Sequence, residues 1–194
     1  MCKIFAVTNS EICGGFENLK IKVLRLCEAE ISGIIYRDKA LNSADYEKNF
    51  IEILKICKNF GVKLFLHNFY EVALKLNYPY IWLPLPTLKM CGAKNFKEIT
   101  VSAHNVYEAK EALGFGATAL CLSHIFKTSC KAELTPKGVN LIKNVREFFD
   151  GEIYALGGIS PNNFNEILLA GTNNLCLMSS LMQIQNEKEL LNKF

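Results

Sequence analysis

Short apolar runs alternate along the whole chain with longer segments of helical periodicity. The apolar runs predict eight strands, over residues 3–7, 33–36, 62–66, 80–83, 99–102, 117–122, 153–156 and 175–178. The periodic segments predict helices, over residues 19–28, 44–59, 70–76, 106–113, 136–149 and 161–169. Ser43 is the expected N-cap of the second helix. The two prolines of PLPTL, residues 84–88, are expected to exclude regular structure there.

Strands that alternate with helices predict right-handed crossovers and parallel strands. An open doubly wound sheet usually has a glycine-rich turn after its first strand, and the sequence AVTNS at residues 6–10 contains no glycine. Eight strands at nearly uniform spacing therefore favour an α/β fold of the (β/α)8 or TIM barrel type. We expect one short barrel domain over residues 1–194.

Composition and charge narrow the classes of function. No apolar stretch approaches the roughly 18 to 20 residues of a membrane span, and the run Ile4 to Val7 is too short for a signal peptide. We therefore expect a cytoplasmic protein with no membrane partner. The net charge is only +3, with lysines spread along the chain, which argues against nucleic acid as a partner. The eight cysteines include no CxxC pair, so neither structural zinc nor a disulfide framework is expected.

The residues that follow the strands are the candidates for chemistry, because active sites of such barrels lie at the carboxyl ends of the strands. Gly157 and Gly158 follow the seventh strand, and Ser179 and Ser180 follow the eighth. These are the loops that bind phosphate in many barrels. An ordinary tight turn is the alternative interpretation of the two glycines.

Cationic and imidazole side chains follow other strands. Arg37 and Lys39 are two residues apart in an extended segment, so their side chains point the same way and could bind pyrophosphate or a carboxylate. A salt-bridged barrel rim is the alternative. His124 directly follows the sixth strand in the segment CLSHIFKTSCK and is the preferred acid-base candidate over His67 and His104. No carboxylate pair lies among the strand ends, so no metal site is predicted.

The segments AVTNS, YRDK, LFLHNFYEVAL, VSAHNVYEA, HIFKTSCK, YALGGI and LMSSL together resemble the thiamine phosphate synthase superfamily of (β/α)8 barrels. The resemblance covers nearly the whole chain. It includes two branches: the synthase, which joins a pyrimidine pyrophosphate to a thiazole phosphate with magnesium, and the TenI-like tautomerases, which aromatise the thiazole phosphate.

Departures from the synthase pattern favour the tautomerase branch. His67 and Asn68 stand where synthases have an asparagine-aspartate pair, and WLPLPTL lacks the acidic residue expected after the fourth strand. Without these carboxylates the pyrophosphate leaving group loses its main charge neutraliser. The segment HIFKTSCK resembles the tautomerase form of this loop, in which the histidine that matches His124 moves the proton.

The resemblance implies an isomerase that requires no cofactor. Its expected partner is a small thiazole phosphate, held at Gly157, Gly158, Ser179 and Ser180 with help from Ser102 and Thr128. His124 would transfer the proton, and Lys131 and Lys39 would stabilise the developing charge. A synthase, which would need magnesium, and a non-catalytic regulator that binds thiamine phosphates are the alternatives. A homo-oligomer is compatible with the sequence.

Overall fold

Eight parallel strands follow one another in sequence order around a closed barrel in the computed structural model, which describes residues 2–128 and 133–194. A helix follows every strand, which confirms the predicted (β/α)8 fold. The strands are β1 Lys3–Val7, β2 Gly33–Tyr36, β3 Lys63–His67, β4 Tyr80–Pro84, β5 Glu98–Ala103, β6 Ala119–Ser123, β7 Glu152–Leu156 and β8 Asn174–Leu177. The helices are α1 Phe16–Glu28, α2 Ser43–Asn59, α3 Tyr70–Lys75, α4 Leu85–Cys91, α5 Val106–Gly114, α6 Asn140–Arg146, α7 Phe164–Ala170, α8 Ser179–Gln183 and α9 Glu187–Leu191.

The prediction for PLPTL is wrong, because α4 begins at Leu85 and carries Pro86 in its first turn. The first N–H groups of a helix have no partner within the helix, so proline costs no hydrogen bond there. The predicted N-cap of α2 is also wrong by one residue. The Asn42 side chain is the cap and accepts a hydrogen bond from the Asp45 N–H at 3.0 Å.

The helix predicted over residues 136–149 is shorter, and α6 begins only at Asn140. Gly138 has a left-handed φ of +69°, and its N–H donates to the Ile125 carbonyl. The Lys137 N–H likewise donates to the His124 carbonyl. The backbone before α6 is therefore bonded to the loop after β6 and cannot also form a helical turn.

The chain packs as two compact units. Unit 1 contains residues 82–176 with the N-terminal segment up to Lys3, and unit 2 contains residues 4–81 and 177–194. In unit 1, β5, β6 and β7 pair in parallel, and every residue of β6 is buried. Burial on both faces is usual for a strand of a parallel sheet with helices outside it.

Unit 2 has an aromatic core under α2. The rings of Tyr36, Tyr46 and Phe50 are fully buried, and the Tyr46 ring stacks on Phe69 with centroids 4.1 Å apart. The Tyr46 hydroxyl donates to the Tyr36 carbonyl at 2.6 Å and accepts from the His67 N–H at 3.0 Å. These two bonds tie α2 to the ends of β2 and β3.

Membrane-spanning helices are absent from the part of the chain that the structure describes, since none of its helices combines the required length with an apolar composition. Seven of the eight cysteines lie in that part, and all seven are free thiols.

Candidate active site

Two histidines and two serines lie at the ends of β5 and β6 in unit 1. Ser102 belongs to β5, and His104 directly follows that strand. Ser123 is the last residue of β6, and His124 follows it. The parallel register aligns Ala103 with Leu122, so the two strands end side by side.

His124 is buried, with 3% of its surface exposed. Its Nε2 lies 3.2 Å from the carbonyl oxygen of Leu134. A carbonyl only accepts hydrogen bonds, so Nε2 is the donor in this contact, and in the neutral form of the ring the lone pair lies on Nδ1. The peptide bond between Ser123 and His124 is cis. The sequence predicted that His124 lies at the end of the sixth strand, and the structure adds its hydrogen-bond partner, the Leu134 carbonyl, in the following loop.

The His104 ring contacts the residue before His124. Its Nδ1 lies 2.8 Å from the Ser123 carbonyl oxygen and 3.2 Å from the Ser123 hydroxyl. The carbonyl acceptor places the proton of this ring on Nδ1. The prediction ranked His104 below His124 because the segment SAHNVYEA also indicates a helix start. That start exists, since Asn105 is the N-cap of α5, but the sequence had no signal for the contact with Ser123.

Gly157 and Gly158 pack directly against the loop after β6. A Cβ on Gly157 would lie 2.4 Å from the Cβ of His124, and a Cβ on Gly158 would lie 2.4 Å from the carbonyl oxygen of Lys127. Both glycines also have positive φ, at +106° and +68°, a conformation that other residues adopt at a cost. Close packing with the His124 loop therefore accounts for both glycines, and their binding of phosphate stays a prediction.

The side chain of Ser102 is bonded to Trp82 on β4. The indole Nε1–H donates to the Ser102 hydroxyl oxygen at 3.2 Å, and the Trp82 ring lies against Tyr154 with centroids 5.0 Å apart. The Ser102 hydroxyl proton can still be donated, because the indole occupies only one acceptor site of the oxygen. Ser102 thus retains a proton that it can donate, and its binding of phosphate stays a prediction.

Arg37 and Lys39 lie after β2 in unit 2, with Arg37 half-buried and Lys39 exposed. The Thr8 hydroxyl fixes the backbone at Arg37, since it donates to the Arg37 carbonyl at 3.0 Å and accepts from the Arg37 N–H at 2.8 Å. Between the two cations, the Asp38 carboxylate accepts from the Ser10 hydroxyl at 2.5 Å and from the Ala40 N–H at 3.4 Å. These two hydrogen bonds of Asp38 stabilise the conformation of the loop after β2.

His67 ends β3 in the same unit, and its environment is cationic. Burial lowers the pKa of His67 to about 3, and the positive charges of Arg37 and Lys39 add to the effect. The imidazole is therefore neutral at physiological pH. The two side chains Arg37 and Lys39, which we call the cationic group, can attract an anion beside the neutral His67 imidazole.

Three of the remaining predicted residues are described by the structure, and Lys131 is not. Ser179 and Ser180 are the first residues of α8, which follows β8. Thr128 is a half-buried residue of the loop after β6. Lys131 lies outside the described residues. The roles of these residues in binding and catalysis stay predictions.

The residues at the strand ends do not fit a magnesium site. Residues 67–69 are His, Asn and Phe, and residues 82–87 are WLPLPT, so the ends of β3 and β4 provide no carboxylate. Over residues 2–128 and 133–194, no three His, Cys, Asp or Glu side chains are grouped to hold a metal ion. Magnesium prefers carboxylate oxygens, so the ends of β3 and β4 lack its usual ligands.

Comparisons with known proteins identify the family. Residues 4–181 match the family model described as thiamine monophosphate synthase. The thiamine-phosphate synthase of Clostridium acetobutylicum is 22% identical over 191 residues, covering 96% of this chain and 90% of that protein. The thiamine-phosphate synthase of Clostridium perfringens is 24% identical over 196 residues, covering 99% and 94%.

A solved structure agrees with the fold. The thiamine phosphate pyrophosphorylase from Pyrococcus furiosus superposes with a TM-score of 0.83 at 19% identity, covering 99% of this chain and 93% of that one. Because the family match extends over residues 4–181 of the 194, the chain belongs to the thiamine monophosphate synthase family, a family of thiamine biosynthesis.

Proposed function

We propose that this protein is a thiazole tautomerase of thiamine biosynthesis, with His124 as its base. The fixed tautomer of His124 carries the proposal. Its Nε2–H is bonded to the Leu134 carbonyl, so the Nδ1 lone pair is the atom that can accept a proton from a substrate. The absence of carboxylates from residues 67–69 and 82–87 supports the same choice, since a tautomerase needs no metal-bound leaving group.

The proposed reaction is a proton shift in a carboxylated, non-aromatic thiazole phosphate. Nδ1 of His124 takes the ring proton next to the carboxylate, and the electron pair of that C–H bond moves into the ring. His124 then returns a proton to the exocyclic carbon, so no atom is gained or lost and the ring becomes aromatic. Aromatisation supplies the driving force, and the protein contributes positioning and the base.

Anion-binding groups would hold the substrate. We propose that Gly157, Gly158, Ser179 and Ser180 bind its phosphate, with Ser102 and Thr128 as additional donors. Lys131 and Lys39 would stabilise the carboxylate and the charge that develops as the ring proton leaves. Preorganised charges of this kind commonly make the largest contribution to lowering a reaction barrier.

Synthase activity is the second candidate. The relatives reported above are named thiamine-phosphate synthase, which favours this alternative over the tautomerase. The cationic group also favours it, because Arg37 and Lys39 act on His67 through their positive charges and could neutralise a pyrophosphate leaving group. In that reaction the thiazole nitrogen would form a bond to the pyrimidine methylene as the bond from this carbon to the pyrophosphate oxygen breaks.

One pair of assays separates the candidates. Purified protein is incubated with the non-aromatic carboxythiazole phosphate, and loss of the ring proton is followed by NMR with magnesium and with EDTA. In parallel, release of pyrophosphate is measured from the pyrimidine pyrophosphate and the aromatic thiazole phosphate. The tautomerase proposal expects conversion at the same rate with and without metal in the first assay.

The matched variant is His124→Gln. The glutamine amide can still donate to the Leu134 carbonyl, but it has no basic nitrogen, so tautomerisation should fall about 100-fold or more. Unchanged turnover in His124→Gln would refute His124 as the base. Magnesium-dependent pyrophosphate release that survives His124→Gln and falls in Arg37→Gln would establish the synthase. Ligand binding with no turnover in either assay would contradict both and indicate a thiamine-phosphate-binding regulator.

A further inference from the structure

The imidazole of His104 holds the residue that precedes His124. It contacts both oxygen atoms of Ser123, the carbonyl at 2.8 Å and the hydroxyl at 3.2 Å. Ser123 is buried, with 5% exposed, and its carbonyl belongs to the peptide group that joins it to His124. The orientation of that peptide group determines where the His124 side chain begins.

His104 is itself held rigidly by the start of α5. Its backbone N–H donates to the Glu108 carboxylate at 2.8 Å, and the same carboxylate accepts from the Asn105 side chain at 2.9 Å. Asn105 in turn accepts from the Glu108 N–H at 2.9 Å. This reciprocal capping arrangement satisfies the N–H groups at the helix start and fixes the backbone from which the His104 ring extends.

The chain on the other side of His124 is bonded to β7. The Ile125 N–H donates to the Leu156 carbonyl, and the Phe126 N–H donates to the Gly157 carbonyl, both at 3.0 Å. His124 is therefore fixed from its C-terminal side by backbone bonds. On its N-terminal side, the bond from the His104 ring is the side-chain contact that the structure describes for the Ser123 carbonyl.

We propose that His104 is a positioning residue, which fixes the direction and the tautomer of His124 through the Ser123 carbonyl. The inference about orientation is independent of the reaction, and its effect on turnover rests on the proposed tautomerase function. Loss of the His104 N–H would remove the side-chain bond that orients the Ser123 carbonyl. The His124 ring would then lose its alignment with the Leu134 carbonyl, and its proton would exchange between Nε2 and Nδ1.

The test compares His104→Asn with His104→Leu. The asparagine side-chain N–H is as far from the backbone as the histidine Nδ1–H, so it can donate to the Ser123 carbonyl, whereas leucine is similar in size and has no donor. The chain has only three histidines. Nitrogen-15 labelling of histidine therefore gives three pairs of imidazole signals, which single substitutions assign. Circular dichroism and thermal unfolding verify that both variants are folded.

The wild-type spectrum should show His124 with its proton on Nε2 and His104 with its proton on Nδ1. His104→Leu should shift the His124 signals toward a mixture of tautomers, and His104→Asn should restore the wild-type pattern. In the NMR conversion assay, kcat of His104→Leu should fall at least about tenfold with little change in KM, and His104→Asn should recover most of it.

Two results would overturn the proposal. The first is an unchanged His124 tautomer in His104→Leu. The second is a His104→Asn protein whose kcat and His124 tautomer are changed as much as in His104→Leu. That result would mean that the imidazole ring, and not its N–H alone, is needed at residue 104. If the wild-type protein shows no conversion, the tautomerase function fails, and the imidazole spectra still decide whether His104 positions His124.

Discussion

Lys22 and Glu187 form a buried ion pair between α1 and α9, with Nζ and Oε1 2.5 Å apart and less than a tenth of each side chain exposed. The Lys22 ammonium also donates to the Ile184 carbonyl. A buried charge that loses its partner is costly because little water can replace the partner. This pair therefore attaches the C-terminal helix to α1 within unit 2.

Removal of one partner of this pair should strongly destabilise the protein. We expect Glu187→Gln to lower the free energy of unfolding by about 3 kcal/mol, as measured by urea denaturation. The double variant Lys22→Met with Glu187→Leu should recover much of this loss, because it leaves no buried charge. If the free energy of unfolding of Glu187→Gln lies within about 0.5 kcal/mol of the wild-type value, the ion pair is accessible to water.

Substitution of Gly157 should lower the free energy of unfolding by more than the strain of its backbone conformation alone. Gly157→Ala combines a φ of +106° with a contact 2.4 Å from the His124 Cβ, whereas Gly15 has a φ of +113° and nothing within 4 Å. We expect a loss of about 3 kcal/mol for Gly157→Ala and about 1 kcal/mol for Gly15→Ala. Equal losses in urea denaturation would show that the His124 loop moves aside freely.

The imidazole of His67 should remain neutral well into the acid range. Its pKa of about 3 in the folded protein lies below the unfolded value of about 6.5, so the unfolded chain binds more protons between these values. This contribution therefore lowers the stability of the fold as the pH falls from about 6.5 to about 3.

His67→Asn removes this titrating group. The drop in urea midpoint between pH 7 and pH 4.5 should be smaller in His67→Asn than in wild type. The NMR titration midpoint of His67 should be higher in Arg37→Gln than in the wild-type protein, because one of its two neighbouring cations is lost. A His67 titration midpoint near 6.5 in the wild-type protein would show that burial and the charges of Arg37 and Lys39 do not lower its pKa.

The hydrogen bond between Trp82 and Ser102 should be measurable as a coupling energy. Trp82→Phe keeps an aromatic ring near Tyr154 and removes the indole N–H, and Ser102→Ala removes the acceptor. A double-mutant cycle should give about 1 kcal/mol of coupling. Additive losses of stability would show that the bond contributes nothing.

The fold could be predicted because its signals are local. Runs such as residues 119–122 are apolar throughout, and burial on both faces of a parallel sheet favours that pattern. Helix starts were less certain. Asn42 and Ser43 are both good N-caps, and only the bond to Asp45 distinguishes them. The effect of Pro86 was misjudged because proline, which has no N–H, costs a helix a hydrogen bond only beyond the first turn, and Pro86 lies within that turn.

The candidate site was predictable only in part. The sequence placed His124, Gly157 and Gly158 at strand ends, because chain order fixes which residues follow each strand. It could not show that Gly157 contacts the Cβ of His124, or that the His104 ring bonds to Ser123 nineteen residues away. Those relationships depend on how β5, β6 and β7 align in the barrel. The sequence determined which side chains lie at the strand ends, and only the tertiary structure decided which of them touch, since strand register and helix packing set these distances.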